Sequence, residues 1–553
     1  MREISVLVGG AAGEGIRQAG NAIARLFNRL GYNVFVYEDY QSLIRGGHNF
    51  SLVRASEAQI LAHRDEVDVL IALNQETVGR HSWRVSRDGI IIYDSDRVTS
   101  DGLGIDMSKI VRNLGLPSIV RNSVALGALA GVLGIDFRIV EDVIRSTIQK
   151  LVEANLAAAR EGFRRASNST AKLKLSPLPA EPKPLLTGNE AIALGLVRAG
   201  MKLYVAYPMT PASNILHYLA ANADKLGIIV VQPENEIAVI GFAEGAAYAG
   251  VRAAVGTSGG GFALMVEHLS LAGQAELPIV IVLCSRPAPA TGVPTYTEQG
   301  DLFFAMFAGH GDFPRLVLAP GDADEAFLLA GEAMNLAWEF QVPVILLADK
   351  HLSESTFSTG FDGNSVTPRK PRLWEGDPKE YRRYKLTEDG ISPLAFPGSG
   401  CIVKANSYEH DEYGITVEDA EKVRLGYEKR LRKFRTLERF VNSTSWVKVY
   451  GNEDSEVALI TWGSTKGAVK EVGERLGLRV VQPLCLLPFP REEMLRCLKG
   501  VEQVICVEVN LRGQLASWLG YNGISVDERI LKYDGRPFTV DELEKLVKGA
   551  IKL

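Results

Sequence analysis

Between residues 185 and 283, short apolar runs alternate with longer stretches of helical period. Residues 203–206, 228–232, 253–256 and 279–283 read as buried strands, and 188–199, 212–223, 235–249 and 262–272 as the helices between them. Such alternation implies parallel strands joined by right-handed crossovers. The unusual residues fall where strands end: Tyr207-Pro208-Met209-Thr210-Pro211, Glu234-Asn235-Glu236, Thr257-Ser258-Gly259-Gly260-Gly261, and Ser285-Arg286-Pro287 running on to Thr291-Gly292. In a parallel sheet those ends share one edge, so the four loops are expected to meet in one crevice, where such folds bind ligands.

The pattern changes on either side. Residues 4–8 form an apolar strand followed by Gly9-Gly10-Ala11-Ala12-Gly13-Glu14-Gly15 and a helix over 16–27, with further strands at 33–37, 50–53, 67–73 and 89–93 and a helix of small residues at 123–133. A polar, proline-rich stretch at 167–184 reads as a linker. Residues 353–446 are dense in charge, glycine and proline, and one helix follows Thr416, whose spacing to Asp419 is that of a capping pattern. Its cations read as a solvated face. Strands at 457–461, 479–481 and 503–507 then form a further parallel α/β pattern. We therefore expect a multidomain α/β protein divided into 1–175, 176–352, 353–446 and 447–553.

At 553 residues the chain is too long for one core. Hydrophobic content of 46%, charged content of 23% and a net charge of −5 are those of an ordinary globular protein and give no sign of nucleic-acid or membrane-surface binding. No apolar run approaches the ~18–20 residues of a transmembrane helix, and the first residues lack a signal-peptide core, so a cytoplasmic protein is expected. Five cysteines (Cys284, Cys401, Cys485, Cys497 and Cys506) include no C-x-x-C pair, which argues against a disulfide framework, a zinc site or an iron–sulfur cluster held by this chain. No metal ligands are assigned.

Individual residues admit two readings each. Thr210 before Pro211 has the pattern of an N-cap and first helical position, and equally of a helix start that binds an anion. Glu236, with Glu234 as competitor, is either an idle acid in a first helical turn or a chemical group. Arg286 is either an ion-pair partner or a cation for bidentate capture of a carboxylate. The glycines at 9–15 lack the G-x-G-x-x-G spacing; Glu38-Asp39 would suit a ribose hydroxyl, and close packing is the larger alternative. His268 reads as a core or interface residue, and His310 as a loop residue near the site edge.

Taken together, Tyr207-Pro208-Met209-Thr210-Pro211, Glu234-Asn235-Glu236, Thr257-Ser258-Gly259-Gly260-Gly261, Thr291-Gly292-Val293-Pro294-Thr295 and Glu298-Gln299-Gly300-Asp301-Leu302 resemble the α subunit of the 2-oxoacid:ferredoxin oxidoreductases. The N-terminal domain with Arg45-Gly46-Gly47 resembles that family's γ subunit, in the fused γ–α order. Trp462-Gly463-Ser464 and the segment 508–514 resemble its second α domain, related to transketolase C-terminal domains. The implied fold is a parallel-sheet Rossmann-like γ domain, a pyrimidine-type thiamine diphosphate α/β domain and a transketolase C-terminal-like α/β domain.

The implied activity is coenzyme A-dependent oxidative decarboxylation of a 2-oxoacid, with electrons passed to ferredoxin. Thiamine diphosphate would be shared with a separate β subunit that brings its Mg²⁺ and a 4Fe–4S cluster, in one αβ pair or a dimer of pairs. This sequence accordingly lacks the G-D-G and distant Asn of a diphosphate loop. By resemblance Glu236 bonds the aminopyrimidine ring nitrogen, where partial desolvation favours proton sharing. Tyr207, Pro208, Thr257, Ser258 and Gly259 hold the cofactor, Thr210 and Arg286 contact substrate, and Arg45, Gly46, Gly47 and Tyr296 face substrate or coenzyme A. The chain departs from the family in having Ala288-Pro289-Ala290 where G-P-S is common, and Tyr296 where a cation is common. The second departure leans toward an apolar, aromatic or small 2-oxoacid over 2-oxoglutarate. The competing readings are a non-redox thiamine carboligase and a coenzyme A- or nucleotide-binding regulatory module without catalysis.

Overall fold

A computed structural model describes residues 3–42, 47–167 and 173–551. The chain forms two compact units: Met1–Leu186 with Glu354–Gly360 and Thr539–Lys545, and the remainder.

The first unit is built on a sheet whose central strand, Glu3–Ala11, is the divide between two pairings. On one side Val67–Ala72, Val85–Asp94 and Leu103–Ile105 run parallel to it. On the other, His48–Ser56 and then Asn33–Asp39 are antiparallel neighbours. The fully parallel sheet expected for this domain is thus a mixed one. The reason is local: the connection from Asp39 to His48 is shorter than the dozen or so residues a parallel crossover needs. Thr356–Ser358 extends the antiparallel side against Asn33–Asp39, and Leu185–Thr187 ends the sheet.

The glycine-rich turn of this unit serves the protein itself. Gly13 and Gly15 have φ of 88° and 75°, which glycine adopts without strain. Between them, Glu14 accepts from its own Ala11 N–H at 2.9 Å and from Arg97 and Arg121 at 2.7 and 2.9 Å. Burial raises the Glu14 pKa, but these bonds outweigh it and hold the carboxyl below its usual value. One oxygen of Glu38 accepts from Ser51 and one oxygen of Asp39 from Tyr37, within the packing of the unit itself.

The second unit carries two sheets. The larger has the order Cys485–Leu487, Leu316–Leu318, Val344–Asp349, Val280–Ser285, Ala253–Thr257, Leu203–Val205, Ile229–Val231, and its last six strands are parallel as the alternation implies. Its first strand comes from the C-terminal region and is antiparallel. The smaller sheet is parallel through Arg479–Pro483, Val457–Ile460, Gln503–Glu508 and Glu528–Leu531, with Val447–Gly451 antiparallel at one edge. One apolar core joins them: Ile281 and Leu347 belong to the same cluster as Ile460, Trp462 and Val481.

The long helix is Ala420–Ser443, and Asp419, not Thr416, is its N-cap, accepting from Lys422 N–H at 3.1 Å. Some of its cations correct the solvated-face reading, while Lys422, Arg424, Arg435 and Arg439 are exposed as expected. Lys429 and Lys433 are buried, each 2.5 Å from a carboxylate oxygen of the buried Glu276. Arg383 adds bonds to the Ala275 and Glu276 carbonyls. Burial raises the Glu276 pKa, but the three cations hold the carboxyl well below its ordinary range.

Candidate active site

Parallel pairing of Ile229–Val231, Leu203–Val205, Ala253–Thr257 and Val280–Ser285 as successive neighbours brings all four loops to one sheet edge. Asn189 Nδ2 donates to the Pro211 carbonyl at 2.8 Å and fixes the first loop from behind. Thr210 is not a helix cap. Residues 210–212 form a turn closed by Ser213 N–H to Met209 O at 3.1 Å, and the helix Ser213–Ala221 starts only after it, with no side-chain cap bond. The Thr210 carbonyl accepts from Arg286 Nη1 at 2.8 Å, so two candidate residues meet through a backbone group. Burial pushes the Arg286 pKa down, and the charge of Asp301 opposes the shift; the guanidinium remains a cation at neutral pH. Tyr207 and Pro208 are exposed at the rim.

Glu236 and Glu234 part company. Asn235 caps the helix Glu236–Tyr248 by accepting from Ala238 N–H at 3.0 Å, which turns Glu236 inward at its first position while Glu234 stays exposed. Glu236 is 3% exposed and its Oε1 has no hydrogen-bond partner. A buried carboxylate oxygen without a donor costs several kcal/mol, which makes it the most telling atom at this edge. Gly261 permits the arrangement: a Cβ there would lie 2.6 Å from Glu236 Oε1 and 2.0 Å from Thr257 Oγ1. The glycines expected as a loop are in fact the first turn of the helix Gly259–Gln274, preceded by Ser258, whose buried hydroxyl also lacks a partner. Thr257 Oγ1 is 3.9 Å from Met209 Sδ, which links the third loop to the first.

Three residues given no role in the sequence reading complete the edge. Asp301 accepts from Ser285 Oγ at 2.8 Å; burial raises its pKa, and Ser285 and the Arg286 charge restrain the shift. Gln299 is a clamp to the C-terminal sheet: its amide donates to Trp462 O at 2.8 Å and accepts from Thr465 Oγ1 and Val509 N–H at 2.8 and 3.0 Å. Arg536 lies 3.5 Å from the centroid of the half-buried Tyr296, in a turn whose Gly535 carbonyl accepts from Thr297 N–H. The Asp534-Gly535 pair marked a turn, but its distance in sequence hid its neighbour.

Arg45 and Gly46 fall outside the described residues; Gly47 has φ 74° and its carbonyl accepts from Ala12 N–H within the first unit. His310 donates its backbone N–H to Ser270 Oγ, and His268 pairs with Glu244 at 2.6 Å. Among the described residues no group of three or more His, Cys, Asp or Glu side chains is arranged to hold a metal, and no helix is long and apolar enough to cross a membrane.

Two family profiles define the class. Residues 194–429 match the thiamine diphosphate-binding domain of pyruvate flavodoxin/ferredoxin oxidoreductases, and residues 5–165 match the pyruvate ferredoxin/flavodoxin oxidoreductase family. Among characterised relatives, 2-oxoacid:ferredoxin oxidoreductase 2, subunit alpha, of Aeropyrum pernix is 34% identical over 100% of this chain and 98% of its own. The 2-oxoacid:ferredoxin oxidoreductase subunit alpha of Saccharolobus solfataricus is 34% identical over 99% and 98%. The solved 2-oxoglutarate:ferredoxin oxidoreductase of Magnetococcus marinus, with 2-oxoglutarate, coenzyme A and succinyl-CoA bound, superposes with a TM-score of 0.92 at 32% identity, covering all of both chains. This chain belongs to the 2-oxoacid:ferredoxin oxidoreductase α subunits, with the γ-like region fused ahead of the thiamine domain.

Proposed function

We propose that this chain holds the aminopyrimidine half of thiamine diphosphate. A separate β subunit brings the diphosphate site, Mg²⁺ and a 4Fe–4S cluster, and the pair oxidises a 2-oxoacid to an acyl-CoA and CO₂ with ferredoxin as acceptor. The observation that carries this reading is Glu236 Oε1, buried and unpartnered at a helix start. A ring nitrogen that shares a proton with the carboxyl is the kind of partner that atom lacks, and the unpartnered Ser258 hydroxyl next to the side-chain-free turn Gly259-Gly260-Gly261 suits a flat ring. Thiamine diphosphate, when bound, supplies the carbon nucleophile and the electron sink for decarboxylation.

The chain's own residues do the rest. Glu236 shares a proton with the ring nitrogen, and its burial keeps water from competing for that proton. Thr257, Ser258 and Gly259 form the bed of the ring, and Tyr207 and Pro208 its rim. Arg286 presents a cation to the substrate carboxylate beside the Thr210 hydroxyl, with its own position set by the bond to the Thr210 carbonyl. Gln299 keeps the segment between Tyr296 and Asp301 in register with the C-terminal sheet.

The substrate has two readings. Tyr296 in place of a family cation favours an apolar, aromatic or small 2-oxoacid. Arg536 favours the other, because its guanidinium on the Tyr296 ring returns a positive charge to that position and suits the distal carboxylate of 2-oxoglutarate. The test is a complex reconstituted with the β subunit and screened with pyruvate, 2-oxobutyrate, phenylpyruvate and 2-oxoglutarate for coenzyme A-dependent reduction of a low-potential dye. Reduction with at least one acid, lost in Glu236→Ala, is the expected result. Failure with every acid overturns the reading, and an iron-free complex that joins carbon units without reducing dye replaces it with a carboligase.

A further inference from the structure

The first unit holds a cavity that the proposed chemistry does not use. It opens between the helices Ile16–Arg29, Arg121–Leu133 and Phe137–Thr147 and has a volume of about 560 Å³, within the range of roughly 300–1,000 Å³ that takes small organic ligands. Its wall is apolar, with Ala19, Ala22, Leu126, Val143, Ile144 and Ile148 on it. The two alanines make the room: they stand three residues apart on one face of the first helix, where larger side chains would fill the space.

The mouth is apolar as well. Ile119 and Leu151 stand at it, 46% and 55% exposed. Leu151 has φ 53°, a left-handed backbone that a residue with a Cβ adopts only under strain. Asn155 holds it there, its backbone N–H and its Nδ2 each 2.9 Å from the Leu151 carbonyl. A large apolar side chain is thus kept at the rim of an apolar cavity by a strained backbone, a combination that clusters at ligand clamps.

The polar atoms of the wall define what enters. Ser123 Oγ donates to Asn155 Oδ1 at 2.7 Å, Asn155 Nδ2 donates to the Leu151 carbonyl, and Thr147 Oγ1 donates to the Val143 carbonyl. Asn122 differs. Its Nδ2 donates to the Glu14 and Gly15 carbonyls at 2.9 and 3.2 Å, which fixes the two ends of the amide and leaves Oδ1 buried without a partner. The group this acceptor lacks is an N–H or O–H donor. The molecule that brings it is neutral, because the one charged residue on the wall is Lys150, exposed at the rim. A carboxylate would set its lone pairs against Oδ1, and an ammonium would leave water with no carboxylate on the wall to receive it.

We propose that this cavity binds a neutral amphipathic molecule: an apolar body of one or two rings, or a chain of similar bulk, with a single hydroxyl or N–H group that donates to Asn122 Oδ1. The site stands apart from the thiamine reading, since all of its residues belong to the first unit. Binding reaches the glycine-rich turn. The ligand donor, the Asn122 amide and the Glu14 and Gly15 carbonyls form one hydrogen-bonded chain, so occupancy braces the start of the helix Ile16–Arg29. The first bond of that helix, from Ala19 N–H to the Gly15 carbonyl at 3.0 Å, is the place to read the effect.

The experiment titrates the full-length chain at pH 7 with three naphthalenes that differ only in the head group. The probe is 2-naphthol, whose fluorescence reports its transfer out of water; 2-methoxynaphthalene has the same rings without a donor, and 2-naphthoate carries a charge. Saturable binding of 2-naphthol at one site is expected. The methoxy compound should compete about fivefold more weakly for want of one hydrogen bond, and the carboxylate about tenfold more weakly. Bound 2-naphthol should slow hydrogen exchange at the Ala19 amide. Ala22→Phe places a ring in the cavity from a different helix than that of Asn122, and should cut 2-naphthol affinity by about tenfold or more with the melting temperature retained. The head-group series is read on the wild-type chain and decides the matter even where Ala22→Phe lowers the melting temperature. Absence of saturable 2-naphthol binding, equal affinity for the methoxy compound, equal or tighter binding of 2-naphthoate, or undiminished affinity in a folded Ala22→Phe chain overturns the proposal.

Discussion

Two buried glutamates in the second unit have opposite surroundings. Glu276, under the helix Ala420–Ser443, has both oxygens taken by Lys429 and Lys433, with Arg383 alongside. Glu236, at the sheet edge, is as deeply buried and has an oxygen without a donor. Burying an ion is tolerable only where partners repay its lost hydration. The Glu276 cluster is closed within the chain and is scaffolding. The Glu236 carboxylate carries an unrecovered cost that a ligand would relieve, so burial marks function only when read together with satisfaction.

The contrast can be broken from either side. The largest effect should come at Glu236: Glu236→Gln in the reconstituted complex lowers 2-oxoacid-dependent turnover by about 10²- to 10⁴-fold while the melting temperature of the chain stays within a few degrees. At Glu276 the outcome reverses. Lys433→Met leaves one buried Glu276 oxygen without its donor while Lys429 still pairs the other, and costs about 1–3 kcal/mol of stability in denaturant titrations, with little change in turnover per folded complex. That stability has a sign in pH. The Glu276 pKa is lower in the folded chain than its ordinary 4.5, so its contribution is complete above that value and declines as pH falls below it. Thermal melts at pH 7, 5 and 3.5 should therefore show the gap between wild type and Glu276→Gln narrowing with acid.

Smaller effects sharpen the picture. Gly261→Ala forces Glu236 or Thr257 to move and should cost about 1–3 kcal/mol together with turnover, whereas Gly245→Ala should raise the melting temperature of the isolated chain. Arg536→Gln tests the substrate readings with the least perturbation. If Arg536 serves a distal carboxylate, kcat/KM for 2-oxoglutarate relative to 2-oxobutyrate falls by about tenfold, the worth of one charge-assisted bond of ~1.4 kcal/mol. An unchanged ratio returns the choice to Tyr296.

Much of this was legible in the sequence, and what was not has physical causes. Short apolar runs between helices gave the parallel strands, because burial on both faces leaves that signature. The antiparallel half of the first sheet was hidden because strand direction is set by connection length and not by apolar pattern. Thr210 and Thr416 both failed as caps: the motif is right, but in each case an intervening turn or a better placed acid, Asp419, starts the helix. Glu236 and Arg286 stood out by type and position. Asp301, Gln299 and Arg536 did not, because their significance lies in contacts across long sequence separations, such as Gln299 with Trp462. The buried lysines of the long helix looked solvated for the same reason: their partner, Glu276, is far away in sequence.

The strand Cys485–Leu487 has a practical consequence for anyone who would divide the molecule. It leaves the C-terminal region to cover the outer edge of the thiamine-type sheet, pairing through Val317 and Leu318. A chain cut short at residue 446 would uncover that edge and strip Ile460, Trp462 and Val481 from the shared core, leaving unpaired backbone groups and an apolar face that invite aggregation. The two regions should therefore be expressed and engineered as one piece, and swapping the C-terminal region between relatives would succeed only if the donor brings a matching edge strand.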